Sequence, residues 1–228
     1  MKDNQFALIT GTSSGLGLEM AQYLLDEGYN VIGLSRSGSP IEHPQYIDII
    51  CDIRDESSVL EVFNIANEHT DNFDLIVLNA GIFEMSPLVE TSTLEFTDHL
   101  STNVVGAFHI LKHARDFLIE DETHIVTISS IASKKGLANI SAYSASKFAL
   151  NGMIDSVKEE WSHLGVRFST LMPGAIATEI WDNESNDLPR DQMLTVEDFM
   201  HVFRMVVTSP SSIQFPELVF LHTRGIIK

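Results

Sequence analysis

Tyr143-Ser-Ala-Ser-Lys147 sets a phenol and an ammonium four residues apart. On a helix, residues i and i+4 share a face, so both heads can reach one small volume. A nearby positive charge favours the ionised form of a phenol and lowers its pKa from about 10 toward the working range. The spacing thus predicts a tyrosine able to give or take a proton near neutral pH. Ordinary helix surfaces carry the same spacing, so the pair gains meaning only from what surrounds it.

A second cluster, Thr10-Gly-Thr-Ser-Ser-Gly-Leu-Gly17, follows a strand-like run and opens a helix-period segment. Gly11, Gly15 and Gly17 permit positive φ and close approach of a ligand to the backbone. The helix start beyond them, at Leu16, offers free N–H groups and a positive dipole end to a pyrophosphate. Thr12, Ser13 and Ser14 add hydroxyl donors. Three glycines and three hydroxyls in this context favour a phosphate cradle over a ligand-free turn.

These residues need elements to position them. Strand-like runs lie at Gln5–Thr10, Asn30–Ser35, Gln45–Ile50, Phe73–Asn79, His124–Ser129, Val166–Leu171 and Glu217–His222. Helix-period segments run from Leu16 to Glu27, about Asp55 to His69, about Thr93 to Leu118 and near Thr195 to Val207, and the one carrying Tyr143 runs to about Leu164. Such alternation predicts an α/β fold, a doubly wound parallel sheet covered by helices on both faces. No linker or repeat interrupts it, so residues 1–228 are expected to form a single domain. Ligands bind such sheets at the carboxyl ends of the strands. The polar and glycine-rich clusters fall there: Gly11–Gly17, Ser35–Arg36, Asp52, Asn79–Gly81, Ser129–Ser130 and Pro173–Thr178.

The set Thr10–Gly17, Asn79-Ala80-Gly81, Ser130 with Tyr143 and Lys147, and Pro173-Gly174, in this order, resembles the short-chain dehydrogenase/reductase family. The resemblance covers roughly residues 5–180 and a shortened C-terminal part. It implies a Rossmann-like fold, a nicotinamide cofactor and reversible hydride transfer between that cofactor and a carbonyl or secondary alcohol. Of the paired serines, it selects Ser130, thirteen positions before Tyr143. Ser130 and Tyr143 would hydrogen-bond the negative charge that develops on oxygen, with Tyr143 as general acid or base. Lys147 would lower the phenol's pKa and hold the ribose. Asn103 resembles a residue that anchors a water in the proton relay, although a helix asparagine bonded to backbone would look the same. Asp52 and Ile53 resemble the adenine-binding segment, Asn79-Ala80-Gly81 the segment beside the ribose, and Pro173, Gly174, Ile176 and Thr178 the loop orienting the carboxamide. The family's paired helices imply a homodimer or homotetramer. The small residues Ala142, Ala145, Ala149 and Gly152 would suit either that pairing or simple packing on the sheet.

The second strand ends in Ser35-Arg36-Ser37, where NAD sites usually place an acid for the ribose 2′-hydroxyl. Arg36 can pair with a 2′-phosphate through its planar fork. NADP(H) is therefore expected over NAD(H), which stays open if Arg36 is only a loop residue. A non-catalytic dinucleotide-binding sensor is the rival outside enzymes, and the intact Ser130, Tyr143 and Lys147 argue against it.

The formal net charge of −18 would repel nucleic acid and anionic membranes. No apolar run approaches a membrane span, the N-terminus lacks a signal-peptide core, and the one cysteine, Cys51, precludes an internal disulfide. A cytoplasmic location is expected. The nine histidines show no ligand spacing, so no metal is expected. Substrate choice should come from the Ser130–Tyr143 connection and from a lid at about residues 179–195. There Trp181 could line an apolar pocket, with Phe83 or Ile131, or could merely anchor the loop.

Overall fold

The computed structural model of the protein describes residues 4–181 and 189–226; residues 182–188 of the expected lid lie outside them. Among the described residues seven strands form one parallel sheet: β1 Phe6–Thr10, β2 Asn30–Ser35, β3 Tyr46–Ile50, β4 Leu75–Leu78, β5 His124–Ile128, β6 Arg167–Pro173 and β7 Leu218–Phe220. Their spatial order is β3-β2-β1-β4-β5-β6-β7. Order reverses between β1 and β4, which pair from Ala7↔Leu75 to Ile9↔Val77. The crevice at the carboxyl ends of these two strands is the topological switch point.

The central strands read as apolar runs because both of their faces are covered. Side chains alternate across the sheet, so Phe6 and Leu8 enter one core while Ala7 and Ile9 enter the other. The first core packs under α2 (Glu56–Ala66), α4 (Gly106–Ala114) and α5 (Ser141–Glu160). The second lies under α1 (Gly15–Asp26) and α6 (Val196–Val207), where Phe199 and Phe203 are fully buried. Helix starts follow their capping residues. Asp55 accepts from the Ser57 N–H, Ser92 accepts from the Glu95 N–H to start α3 (Thr93–Leu100), and Thr195 and Asp198 form a reciprocal capping box.

The expected continuous helix Thr93–Leu118 is broken. Between α3 and α4, residues Ser101–Val105 form a π-turn, and Arg115–Phe117 tighten into a 3-10 turn. The Tyr143 helix is regular only to Glu160, with a 3-10 turn at Ser162–Leu164 closed by Gly165 at φ 66°. The α2 helix likewise stops at Ala66, short of His69. Among the described residues no helix is long and apolar enough to cross a membrane.

Candidate active site

A cleft of about 1040 Å³ opens over the carboxyl ends of the strands. Its lining includes Gly11, Ser13, Ser14, Gly15 and Leu16 from the first turn, with Ser35 and Arg36 after β2. Asp52 and Ile53 after β3, Asn79–Gly81 after β4, Ser130, Tyr143, Lys147, Pro173, Gly174, Ile176, Thr178 and Trp181 also face it. The structure thus brings nearly every residue singled out by sequence into one space. Three do not line it: Thr12, Gly17 and Asn103.

Thr12 departs from its expected role as a hydroxyl donor at the cradle. It is fully buried, and its Oγ1 accepts from the Tyr46 hydroxyl at 2.9 Å. Its side chain therefore ties the turn to β3. Gly17 is a packing residue: a Cβ there would lie 1.9 Å from the Gly11 carbonyl oxygen and 2.6 Å from Asn79 Nδ2. Gly11 at φ 79° and Gly15 at φ 56° supply the left-handed backbone of the turn. Asn79 Nδ2 donates to the carbonyls of Thr10 and Gly11, locking the β1 turn to the end of β4. The Ser14 backbone is extended and the α1 amides begin directly after it, an arrangement that fits a pyrophosphate.

Arg36 is exposed at the end of β2. Asp55 caps α2, and the Asp52 carboxylate takes Arg54 in a two-pronged pair at 2.6–3.1 Å. These bonds hold the Asp52 carboxyl below the usual range, with a smaller pull from Arg36. Arg54 also lines the cleft and was not singled out from the sequence. Its position two residues past a strand-end aspartate was the available signal.

Alternation resolves the paired serines. Ser129 is buried and donates to Asn151 Oδ1 at 2.7 Å, whereas Ser130 faces the cleft. Asn151 Nδ2 donates to Ser133 Oγ, whose hydroxyl donates to the Ser130 carbonyl at 2.6 Å. Ser130 Oγ accepts from the Ala132 N–H at 3.1 Å. One asparagine on α5 thus fixes the turn that presents Ser130. Asn151 lies four residues beyond Lys147, so helical spacing alone could have found it.

Tyr143 is half-buried, and Lys147 is almost wholly so. The Lys147 ammonium sits 5.6 Å from the centre of the Tyr143 ring and donates to the Ile128 carbonyl at 3.0 Å. The expected lowering of the phenol is not found. Burial pushes Tyr143 up to about 12, opposed by a hydrogen bond with Ser130. Burial also pulls Lys147 down to about 8. Desolvation is the leading cause for both, because burial disfavours the charged form of each group. With a folded pKa below its unfolded value of 10.5, Lys147 contributes stability that is complete above 10.5 and is lost as pH falls through about 8. Tyr143 has the opposite sign, its contribution present below 10 and lost as pH rises through about 12. The urea midpoint of the wild type should therefore gain on that of Lys147→Met between about pH 8 and pH 10. A difference independent of pH across that window would contradict the burial of a titrating ammonium.

Asn103 sits on the π-turn, 1% exposed. Its Oδ1 accepts from Ile82 N at 2.8 Å, and its Nδ2 donates to Ile82 O at 3.1 Å and to Ser146 Oγ at 2.9 Å. These bonds engage backbone and a neighbouring helix, which is compatible with either reading of its sequence position. Trp181 lines the cleft and is also tied to its own loop. Its Nε1 donates to the Ile176 carbonyl at 2.9 Å, and its ring meets Phe83 at 4.5 Å. Among the described residues no group of three or more His, Cys, Asp or Glu could hold a metal ion.

The fold and this strand-end cleft define a dinucleotide-binding α/β protein. Comparison with known proteins narrows the class. Residues 5–189 match the family model for short chain dehydrogenase. A 3-oxoacyl-[acyl-carrier-protein] reductase MabA of Mycobacterium avium is 33% identical over 175 residues, covering 76% of this chain and 68% of that protein. A 3-amino-tetrahydro-pyrrolizinone reductase of Xenorhabdus hominickii is 32% identical, covering 77% and 63%. Human dehydrogenase/reductase SDR family member 11 is 25% identical, covering 98% and 96%. An alcohol dehydrogenase structure from Thermococcus sibiricus, complexed with 5-hydroxy-NADP, superposes with a TM-score of 0.86 at 23% identity, covering 98% and 99% of the two chains. This chain belongs to the short-chain dehydrogenase/reductase family, oxidoreductases acting on carbonyl and alcohol groups.

Proposed function

We propose that the protein is an NADP(H)-dependent carbonyl reductase or alcohol dehydrogenase with Tyr143 as its general acid and base. The observation that carries this reading is Ser130, Tyr143 and Lys147 together in a cleft that the glycine cradle also lines. The nicotinamide cofactor, when bound, supplies or accepts the hydride. The amides after Ser14 would hold its pyrophosphate, Asp52 and Ile53 its adenine side, and Lys147 its nicotinamide ribose. Pro173, Gly174, Ile176 and Thr178 would orient its carboxamide, Asn79-Ala80-Gly81 would flank the ribose, and Ser35 and Arg36 would receive a 2′-phosphate.

The chain's own work is to position a carbonyl and manage a proton. Ser130 and Tyr143 donate hydrogen bonds to the substrate oxygen, where negative charge grows during reduction. Tyr143 is held protonated at neutral pH, so it can donate its proton to that oxygen. Alcohol oxidation needs the phenolate and so gains from rising pH. A pair of hydroxyls set to donate to a substrate oxygen is superfluous in a sensor that only binds a dinucleotide. The most direct test is NADPH oxidation across ketones, aldehydes and sugars. Tight NADPH binding without turnover of any of them would favour the sensor.

Arg36 supports NADP(H) over NAD(H), since an exposed guanidinium ends β2 and no carboxylate occupies Ser35, Arg36 or Ser37. Arg36→Ala should raise the Kd for NADPH by about 10- to 100-fold and leave that for NADH within about threefold, losing charge-assisted bonds of about 1.5–3 kcal/mol. Equal weakening toward both cofactors in titration calorimetry would remove the assignment. We also propose self-association through α4 and α5. Val105 at the end of the π-turn, Phe108 on α4 and Phe148 on α5 are 40%, 46% and 47% exposed, with Ala149 and Gly152 of α5 exposed as well.

A further inference from the structure

Beyond Ser130 and Tyr143 the cleft is walled by rings. Phe83 meets Tyr143 edge-on, with centroids 4.9 Å apart and planes at 85°. It meets Trp181 at 4.5 Å and 55°. The Trp181 indole N–H is tied to the Ile176 carbonyl, so this wall is fixed to the loop after β6. Ile131, Leu137 and Ile140 also line the cleft. Lys135 and Glu179 line it as well, but both are exposed.

Each broad class of carbonyl compound can be weighed against this lining. A sugar brings several hydroxyls, and each one desolvated without a partner is penalised. Ser130 and Tyr143 are already committed to the reacting oxygen. A carboxylate needs a buried cation; the lining cations Arg36, Arg54 and Lys135 are exposed, and the buried Lys147 already donates to the Ile128 carbonyl. An acyl chain on a phosphodiester-bearing carrier would bring anionic charge toward a protein of net charge −18 and would lose many rotors on binding. A planar ring gives up little freedom and matches the edge and face geometry that Phe83, Tyr143 and Trp181 already use among themselves.

We infer that, granted the oxidoreductase reading above, the substrate is an uncharged aryl ketone or aryl aldehyde. Its ring packs on Phe83 and Trp181 while its carbonyl oxygen lies between Ser130 and Tyr143.

The test is steady-state NADPH oxidation by the full chain with acetophenone, benzaldehyde, 2-octanone, acetoacetyl-coenzyme A and xylose. An aryl substrate should give a kcat/KM at least ~10-fold above 2-octanone and ~100-fold above the thioester and the sugar. Trp181→Ala should raise the KM for that aryl substrate about 10-fold, Trp181→Phe should keep it within about threefold, and the NADPH Kd should stay within about twofold in both. A preference for 2-octanone, the thioester or the sugar overturns the aryl assignment and leaves the oxidoreductase reading standing. An unchanged KM in a folded, NADPH-binding Trp181→Ala overturns it too. NADPH binding with no oxidation by any carbonyl overturns the oxidoreductase reading itself, and this inference with it.

Discussion

Replacing Tyr143 with Phe lowers kcat for carbonyl reduction by about 10³-fold or more, while the NADPH Kd stays within about twofold. The expectation follows from what the substitution removes. The ring remains, and with it the edge contact to Phe83; only the hydroxyl goes. That hydroxyl is asked to do two things, stabilise charge on oxygen and deliver a proton. Positioned general acids contribute about 10²–10⁴-fold, and a single donor at a developing oxyanion about 10²–10³-fold. The two effects share one group and so are not multiplied in full. Ser130→Ala should fall by less, because it removes a hydrogen bond and no proton source. Single-turnover kinetics with bound NADPH isolates the chemical step from release. Turnover by Tyr143→Phe within about tenfold of wild type would end the assignment of Tyr143 as the acid.

Gly17→Ala is the second large effect, and it reaches the site through the backbone. A Cβ at Gly17 would collide with the Gly11 carbonyl oxygen, and main chain cannot swing aside as a side-chain end can. Relief requires moving the turn that Asn79 locks to β4. Overpacking of this kind costs about 3 kcal/mol, which for a chain of this size lowers Tm by roughly 6–12 °C. The displaced turn should also weaken NADPH binding by about 10-fold or more, since the amides at the start of α1 shift with it. Gly15→Ala is the informative control. A Cβ there meets nothing within 4 Å, and only its φ of 56° is penalised, by about 1–2 kcal/mol. Thermal melts and NADPH titrations of both variants check the contrast. Equal behaviour would mean that left-handed backbone alone, and not the α1–β1 approach, makes the turn depend on glycine.

Much of this architecture was legible in the residues. The strands announce themselves as short apolar runs because both sheet faces are covered, and their carboxyl ends collect the polar clusters. Helix ends were harder to place. The run Thr93–Leu118 keeps a helical pattern throughout, and no proline or glycine cluster marks the π-turn inside it. That turn is stabilised by what Asn103 grips across the cleft edge, a tertiary bond with no local signature. Thr12 looked like a cradle donor because its neighbours are; a tyrosine 34 residues away draws it inward. The Tyr143–Lys147 spacing was read as a charge effect alone. Spacing says nothing of burial, and burial decides the sign for both groups.

The π-turn at Ser101–Val105 has a consequence for timing along the helix. A regular α-helix turns about 100° per residue, so one extra residue in a turn shifts the phase of everything after it. Upstream, that phase lets α3 bring His99 within 6.4 Å of the Tyr143 ring. Downstream, it lets α4 send Ile110, Leu111 and Ala114 into the core. Between the two, Asn103 joins Ile82, next to the Phe83 wall, to Ser146, next to Lys147. Phe83 and Tyr143 are thereby braced against a common strut, so a lining residue can change its identity while Tyr143 keeps its place.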